Sequence, residues 1–365
     1  MRSVSLPVRR LLAGLALGGV LSAGATGAGW ALGPDPHGPL DAPPGATRWP
    51  AAVAAAAPGV AAPDPATATV AQVRRFWASL TDGQRRALAR RAPEVLGNLD
   101  GIPYRLRYAA NQRARAAADP HGPRPAGRLL AYDPRGDGRV VLVLGDLASA
   151  RRVAVVVPGS GWRLDQLLGS APRTGADPIA AAVALRGQLL RLAPAARVAV
   201  VLWLGYDTPE GIDRQAVRSE RAAAGARALV RFLDALPGRA RVSLLCHSYG
   251  AVVCGRAAGD GRVGDLVALA APGMDVASVA GLRTSARVWA ARIPDDPIRF
   301  VPHLRAGGFG HGADPVAPGF GTRVFRTGDA AGHDGYYTPG AESLGNLARI
   351  VLQRTSEVTL VDHPR

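Results

Sequence analysis

Lysine is absent from this sequence of 365 residues, so all 44 basic residues are arginine. Against 28 acids they leave a formal charge of +16 and a pI near 11.2, because arginine does not titrate in the ordinary pH range. Cysteine is scarce as well. Two cysteines exclude a disulfide-dense mini-protein and a Cys₄ zinc site. No HExxH, P-loop or GxGxxG motif is present, and the Asp and His residues are scattered without ligand spacing. The expectation is therefore no metal and no cofactor. Aromatic residues make up only 5%, with no aromatic-basic stripe, so a nucleic-acid partner is not expected despite the charge. Residues 1–120 carry 14 arginines and 7 acids, and the rest of the chain carries 30 and 21. The excess is thus spread rather than gathered into a binding tail. It reads as the compositional bias of a chain rich in Ala, Gly, Pro and Arg. What is abundant is apolar: 48% hydrophobic against 20% charged residues excludes a wholly disordered or collagenous chain.

The chain divides into four stretches. Residues 1–30 read as an export signal, with Arg2, Arg9 and Arg10 as its basic start. An apolar run from Leu11 to about Ala23 and an Ala23-Gly24-Ala25 cleavage candidate follow. A retained anchor is the alternative, since no charge occurs from Leu11 to Leu32. Residues 31–66, rich in Pro, Ala and Gly, read as a linker. Residues 67–120 look helical, with Thr81 and Gln84 forming a capping box and Tyr104–Ala118 a further helix. Too poor in large apolar residues to stand alone, this segment is expected to pack on the main domain. Residues 121–365 alternate strands and helices. The expected strands are Arg128–Tyr132, Val140–Leu144, Arg152–Val157, Arg197–Trp203, Val242–His247, Asp265–Ala270, Ala286–Arg292 and Thr322–Arg326. Helical patterns cover Pro178–Leu192, Asp213–Leu236, Tyr249–Ala258 and Glu342–Gln353. An opening hairpin followed by such alternation implies one buried, mostly parallel sheet with helices on both faces. About eight strands over this length is the rhythm of an α/β-hydrolase fold.

The stretch from Arg241 to Gly255 is the most informative. An apolar strand ends at Cys246-His247, Ser248 intervenes, and a helical pattern starts at once. That is the layout of a nucleophile elbow, which holds a serine hydroxyl clear of the sheet and aims a helix N-terminus at a developing oxyanion. Gly250 supplies the small residue needed two places after the serine. Cys246 stands where the motif carries its first glycine. Cys254 lies eight residues further on, within reach of a disulfide with Cys246 that an exported protein would permit. His247 is expected to be structural and to point away from the catalytic histidine.

In such a fold the order along the chain is serine, acid, histidine. Both Asp295 and Asp296 sit at the end of a strand; Asp296 is the preferred acid, because an Asp before Pro-Ile is the commoner arrangement there, with Asp295 as the alternative. His333 is the preferred base, in a glycine-flanked loop before the final helix, with His303 and His311 as rivals. His37, His121 and His363 lie outside any plausible site. Oxyanion donors would be the N–H groups of Tyr249 and of Ser160, with Gly161 second to Ser160. The glycine-rich run Gly307–Gly312 reads as a lid or rim loop.

These residues resemble a family of actinobacterial α/β-hydrolases catalogued mainly as a domain of unknown function. The resemblance rests on Trp77 to Gln84, Gly97 to Pro103, Asn111, Val157-Pro158-Gly159 and Trp203-Leu204-Gly205-Tyr206-Asp207. It rests also on His247-Ser248-Tyr249-Gly250 and Gly332-His333. It implies the fold and a Ser/Asp/His hydrolase, but no substrate. The departure at Cys246, paired with Cys254, looks like an exported variant. The reading is an exported serine hydrolase acting on a small or lipid-like acyl ester or thioester. A silent scaffold that binds an envelope component or protein partner stays open, as do a peptidase and an acyltransferase. Secretion or envelope association is expected, where a basic surface would favour weak adhesion to anionic lipids and polymers.

Overall fold

A computed structural model describes residues 42–169, 177–211 and 215–361. The expected export signal at residues 1–30 lies outside them. Eight strands form one sheet: β1 (Arg128–Asp133), β2 (Arg139–Leu144), β3 (Arg152–Val157), β4 (Val198–Leu204), β5 (Arg241–His247), β6 (Val263–Leu269), β7 (Arg287–Ala291) and β8 (Arg323–Val324). Their order is β1-β2-β4-β3-β5-β6-β7-β8. The first two pairings are antiparallel, and every pairing from β4/β3 onward is parallel. Continuous apolar runs such as Val198–Leu204 are buried on both faces, as a helix-covered parallel sheet requires.

Helices complete three layers. One face of the sheet carries the helices Pro178–Leu192 and Glu342–Val351, which bring Leu185, Leu189, Leu344 and Leu347 to the core. The opposite face carries Glu220–Ala235 and Gly250–Ala257, with Leu229, Phe232 and Val252. The helix expected over Asp213–Leu236 starts only at Glu220. Residues 216–219 are instead drawn into polar contacts: Tyr249 Oη donates to Arg218 O, and His311 Nε2 lies 2.6 Å from Ala216 O.

The amino-terminal helices build their own core. They run Trp49–Ala56, Val70–Ser79, Asp82–Arg91, Pro93–Asn98 and Tyr104–Ala118. The linker reading of residues 31–66 does not hold for its described part, from residue 42 on; residues 31–41 lie outside the described residues. Trp49 is fully buried, meets Phe76 edge to face at 5.7 Å and donates its indole N–H to Pro63 O. Alanine is the best helix former and Pro50 fits a first helical turn, so an Ala-rich stretch with Trp49 and Val53 on one side folds. Thr81 and Gln84 form the expected capping box, and Thr69 and Gln72 form a second one. This layer is fastened to the sheet domain by buried polar bonds. The Asn98 side chain donates to Tyr132 O and accepts the Tyr132 N–H, Asn111 Nδ2 donates to Leu129 O at 3.4 Å, and Tyr104 Oη donates to Ala235 O.

Candidate active site

The carboxyl ends of β5, β7 and β8 bring three side chains together. Ser248 follows β5 directly and adopts φ 53°, a left-handed conformation that costs a non-glycine residue about 1–3 kcal/mol. Close packing enforces it. A Cβ on Gly159 would lie 2.6 Å from Ser248 Cβ, and one on Gly250 would lie 2.5 Å from Val157 O. The Ser248 N–H donates to Leu269 O at 2.9 Å, tying the turn to β6. Cys246 and Cys254 are joined by a disulfide with their Cα atoms 6.4 Å apart, linking the end of β5 to the following helix.

His333 connects the other two residues. Its Nε2 lies 3.1 Å from Ser248 Oγ, and its Nδ1 lies 2.8 Å from Asp296 Oδ1. Asp296 is fully buried and holds three donors. They are His333, the Ile298 N–H at 2.9 Å and the Tyr336 hydroxyl at 2.7 Å. Burial raises the pKa of its carboxyl, but these donors and the charge of His333 outweigh burial and keep it below the ordinary value. Burial likewise lowers the His333 pKa. The hydrogen bond and charge of Asp296 prevail, so it lies above the usual 6.5. Asp295 does not reach the imidazole. Its Oδ1 accepts the Gly332 N–H at 2.9 Å, which fixes the loop that carries His333.

The rival histidines sit elsewhere. His303 Nδ1 faces Pro272 O at 3.1 Å, and His311 faces Ala216 O, Ser219 and Asp275. The orientation expected for His247 is wrong. Its ring lies 4.8 Å from that of His333, and Nε2 is 2.8 Å from His333 O, the geometry of an N–H donating to a carbonyl. Burial, then the adjacent His333, push its pKa down to about 4, so the ring is neutral near pH 7. The turn at Ser248 brings its neighbour back under the histidine loop, a rotation that strand alternation does not reveal.

The Tyr249 and Ser160 N–H groups have no acceptor among the described residues. Gly161 is corrected as an oxyanion donor: its N–H is spent on Pro209 O at 2.7 Å. The loop holding Ser160 is braced by the Tyr206 hydroxyl, which donates to Pro158 O at 2.9 Å. Tyr336 was missed by sequence reasoning, although its place three residues after His333 on the same loop was a usable signal. His247, His333 and Asp334 lie close enough to suggest a metal cluster. However, both nitrogens of His333 face Asp296 and Ser248, and His247 Nε2 faces a carbonyl. A cation there would compete with those hydrogen bonds.

Chemically, the arrangement can take a proton from a hydroxyl, hold the resulting cation and present amide donors beside it. The alpha/beta hydrolase family model matches residues 133–306. An uncharacterized protein of Mycobacterium bovis is 31% identical over 230 residues, which are 60% of this chain and 84% of that protein. The chain belongs to this alpha/beta hydrolase family. An uncharacterized Mycobacterium tuberculosis protein is 28% identical over 406 residues, covering 85% of this chain. The chain spans 58% of that longer relative. Among solved structures, a Xanthomonas campestris serine hydrolase described as lacking a lid aligns with 66% of this chain and 99% of its own, at 16% identity and a TM-score of 0.39.

Proposed function

We propose that the protein is an exported serine hydrolase that cleaves an ester or thioester through an acyl-enzyme on Ser248. The hydrogen-bonded line from Asp296 through His333 to Ser248 carries this reading. His333 Nε2 takes the hydroxyl proton as Ser248 Oγ attacks the acyl carbon. Asp296 holds the imidazole in the tautomer that leaves Nε2 free to accept, and then stabilises the imidazolium. The Tyr249 and Ser160 N–H groups receive the oxyanion. Collapse breaks the bond to the alcohol or thiol, which leaves with the proton from His333. Water, deprotonated by His333, then attacks the acyl-enzyme and frees Ser248. Export is supported by the basic and apolar start of the chain, and by the Cys246–Cys254 bond, since disulfides persist in oxidising compartments.

p-Nitrophenyl esters of graded chain length test the activity. The wild-type chain is expected to release nitrophenol, and Ser248→Ala to lose about 10⁴-fold or more in kcat. Equal rates for the two would overturn the proposal.

A further inference from the structure

Beside this site the surface turns apolar and basic together. Phe300 is 51% exposed, Leu304 45%, Phe309 44% and Val217 37%, more than an isolated side chain needs to explain. Three of the four share one small loop cluster. The Gly310 N–H donates to Val217 O at 2.8 Å, Ala306 and Phe309 exchange backbone bonds at 3.0 Å, and Gly312 turns back on Leu304 O. Phe300 stands four residues after Asp296 on the same connection. His311 then closes the cluster against the elbow, its ring 5.5 Å from that of Tyr249. The projecting side chains therefore lie on the connection that carries Asp296 and on the loops that pack against Tyr249, the residue after the reactive serine.

Arginine accompanies them. The Arg218 guanidinium lies 4.8 Å over the Phe309 ring, and that of Arg299 lies 4.5 Å over Phe300. Between Pro297 and Gly312 there are two arginines and no acid. Glu220, 3.7 Å from Arg218, offsets part of this charge. Buried Asp275, which pairs with Arg256, also lies 3.6 Å from the Arg305 guanidinium and offsets that charge, so Arg299 and Arg218 carry the rim's positive character.

We propose that this rim seats on an anionic lipid surface, with Phe300, Leu304 and Phe309 entering the acyl boundary and Arg218 and Arg299 meeting the headgroups. Apolar projections on short loops, with arginines stacked on their rings, suit a fluid anionic interface, which needs no matching groove. The substrate class that follows is acyl esters presented in such a surface. That second half rests on the serine-hydrolase reading, whereas the seating does not.

Hydrogen exchange on the full chain, read by mass spectrometry, tests it. With phosphatidylglycerol vesicles, peptides covering residues 297–312 should exchange about fivefold more slowly or more. Phosphatidylcholine vesicles alone should give little change. The triple variant Phe300→Ser, Leu304→Ser, Phe309→Ser keeps every charge, so it should lose the slowing yet hydrolyse a soluble short-chain ester at the wild-type rate. Vesicle binding that leaves residues 297–312 unchanged, for instance through residues 11–32, would overturn the proposal. So would slowing of the same peptides with protein concentration in the absence of vesicles, which would mean that a second copy covers the rim. Loss of soluble-ester turnover in the wild type would instead strike the hydrolase reading and leave the exchange result standing.

Discussion

The elbow that carries Ser248 and the loop that carries His333 are held by different forces. The elbow is fixed sterically: Gly159 and Gly250 leave no room for a Cβ, and a disulfide joins the strand to the helix. The histidine loop is fixed by polar bonds. Asp295 takes the Gly332 N–H, His247 faces the His333 carbonyl, and Tyr336 reaches Asp296. One region is made rigid by packing and pays for it with a left-handed serine. The other can shift a little as the imidazole changes partners, because each of its bonds is an adjustable hydrogen bond. The two are also joined through His247, which belongs to the elbow in sequence and packs on the loop in space.

Opposite responses to substitution would sharpen this contrast. The largest effect should come from His333→Gln, which is expected to lower kcat/KM by about 10⁴-fold while the melting temperature stays within experimental error. Gly250→Val should act the other way. Its side chain has no space beside Val157 O, so stability should fall by about 2–3 kcal/mol in urea denaturation, with activity lost alongside the fold. A His333 variant that melts early, or a Gly250 variant that melts normally, would erase the distinction.

Next in size is the acid. Burial alone lowers the His333 pKa and Asp296 raises it, so the two contributions can be separated. Activity requires the neutral imidazole, and kcat/KM should therefore rise with pH through a midpoint above 6.5 in the wild type. In Asp296→Asn the largest upward contribution disappears and only that of Asp334 remains, so that midpoint should move down while the rate falls. A midpoint that stays in place would mean that Asp296 does not govern the imidazole. Smaller again is Tyr336→Phe, which leaves Asp296 Oδ2 without its hydroxyl donor. The expected cost is about 1–3 kcal/mol of stability and roughly a tenfold drop in kcat with little change in KM. The conservative pair Cys246→Ala, Cys254→Ala should lower stability by about 2.5 kcal/mol through the lost loop constraint. Its kcat should move least of all, because Gly159 and Gly250 still enforce the turn.

The same contrast explains what could be read from the sequence. The sheet was legible because its strands are unbroken apolar runs spaced by helical patterns, and Ser248, Asp296 and His333 could be named from their places at strand ends. Choosing Asp296 over Asp295 depended on the Pro-Ile that follows it. Bonds between distant backbone groups were not legible. Gly161 looked as available as Ser160 until its N–H met Pro209 O, and His247 looked remote until the turn at Ser248 swung it under His333. Trp49 was hidden for another reason: a Pro- and Ala-rich setting resembles a linker unless the partner of the one large side chain, Phe76, is known.

Labelling with a fluorophosphonate tests the central claim most directly. The reagent reacts only with a serine whose hydroxyl is activated, and peptide mapping shows which serine has reacted. The account predicts that the folded wild-type chain is modified at Ser248, that His333→Gln is modified far more slowly, and that Ser248→Ala is not modified. A folded wild-type chain that stays unlabelled, or that carries the label on another serine, would contradict it.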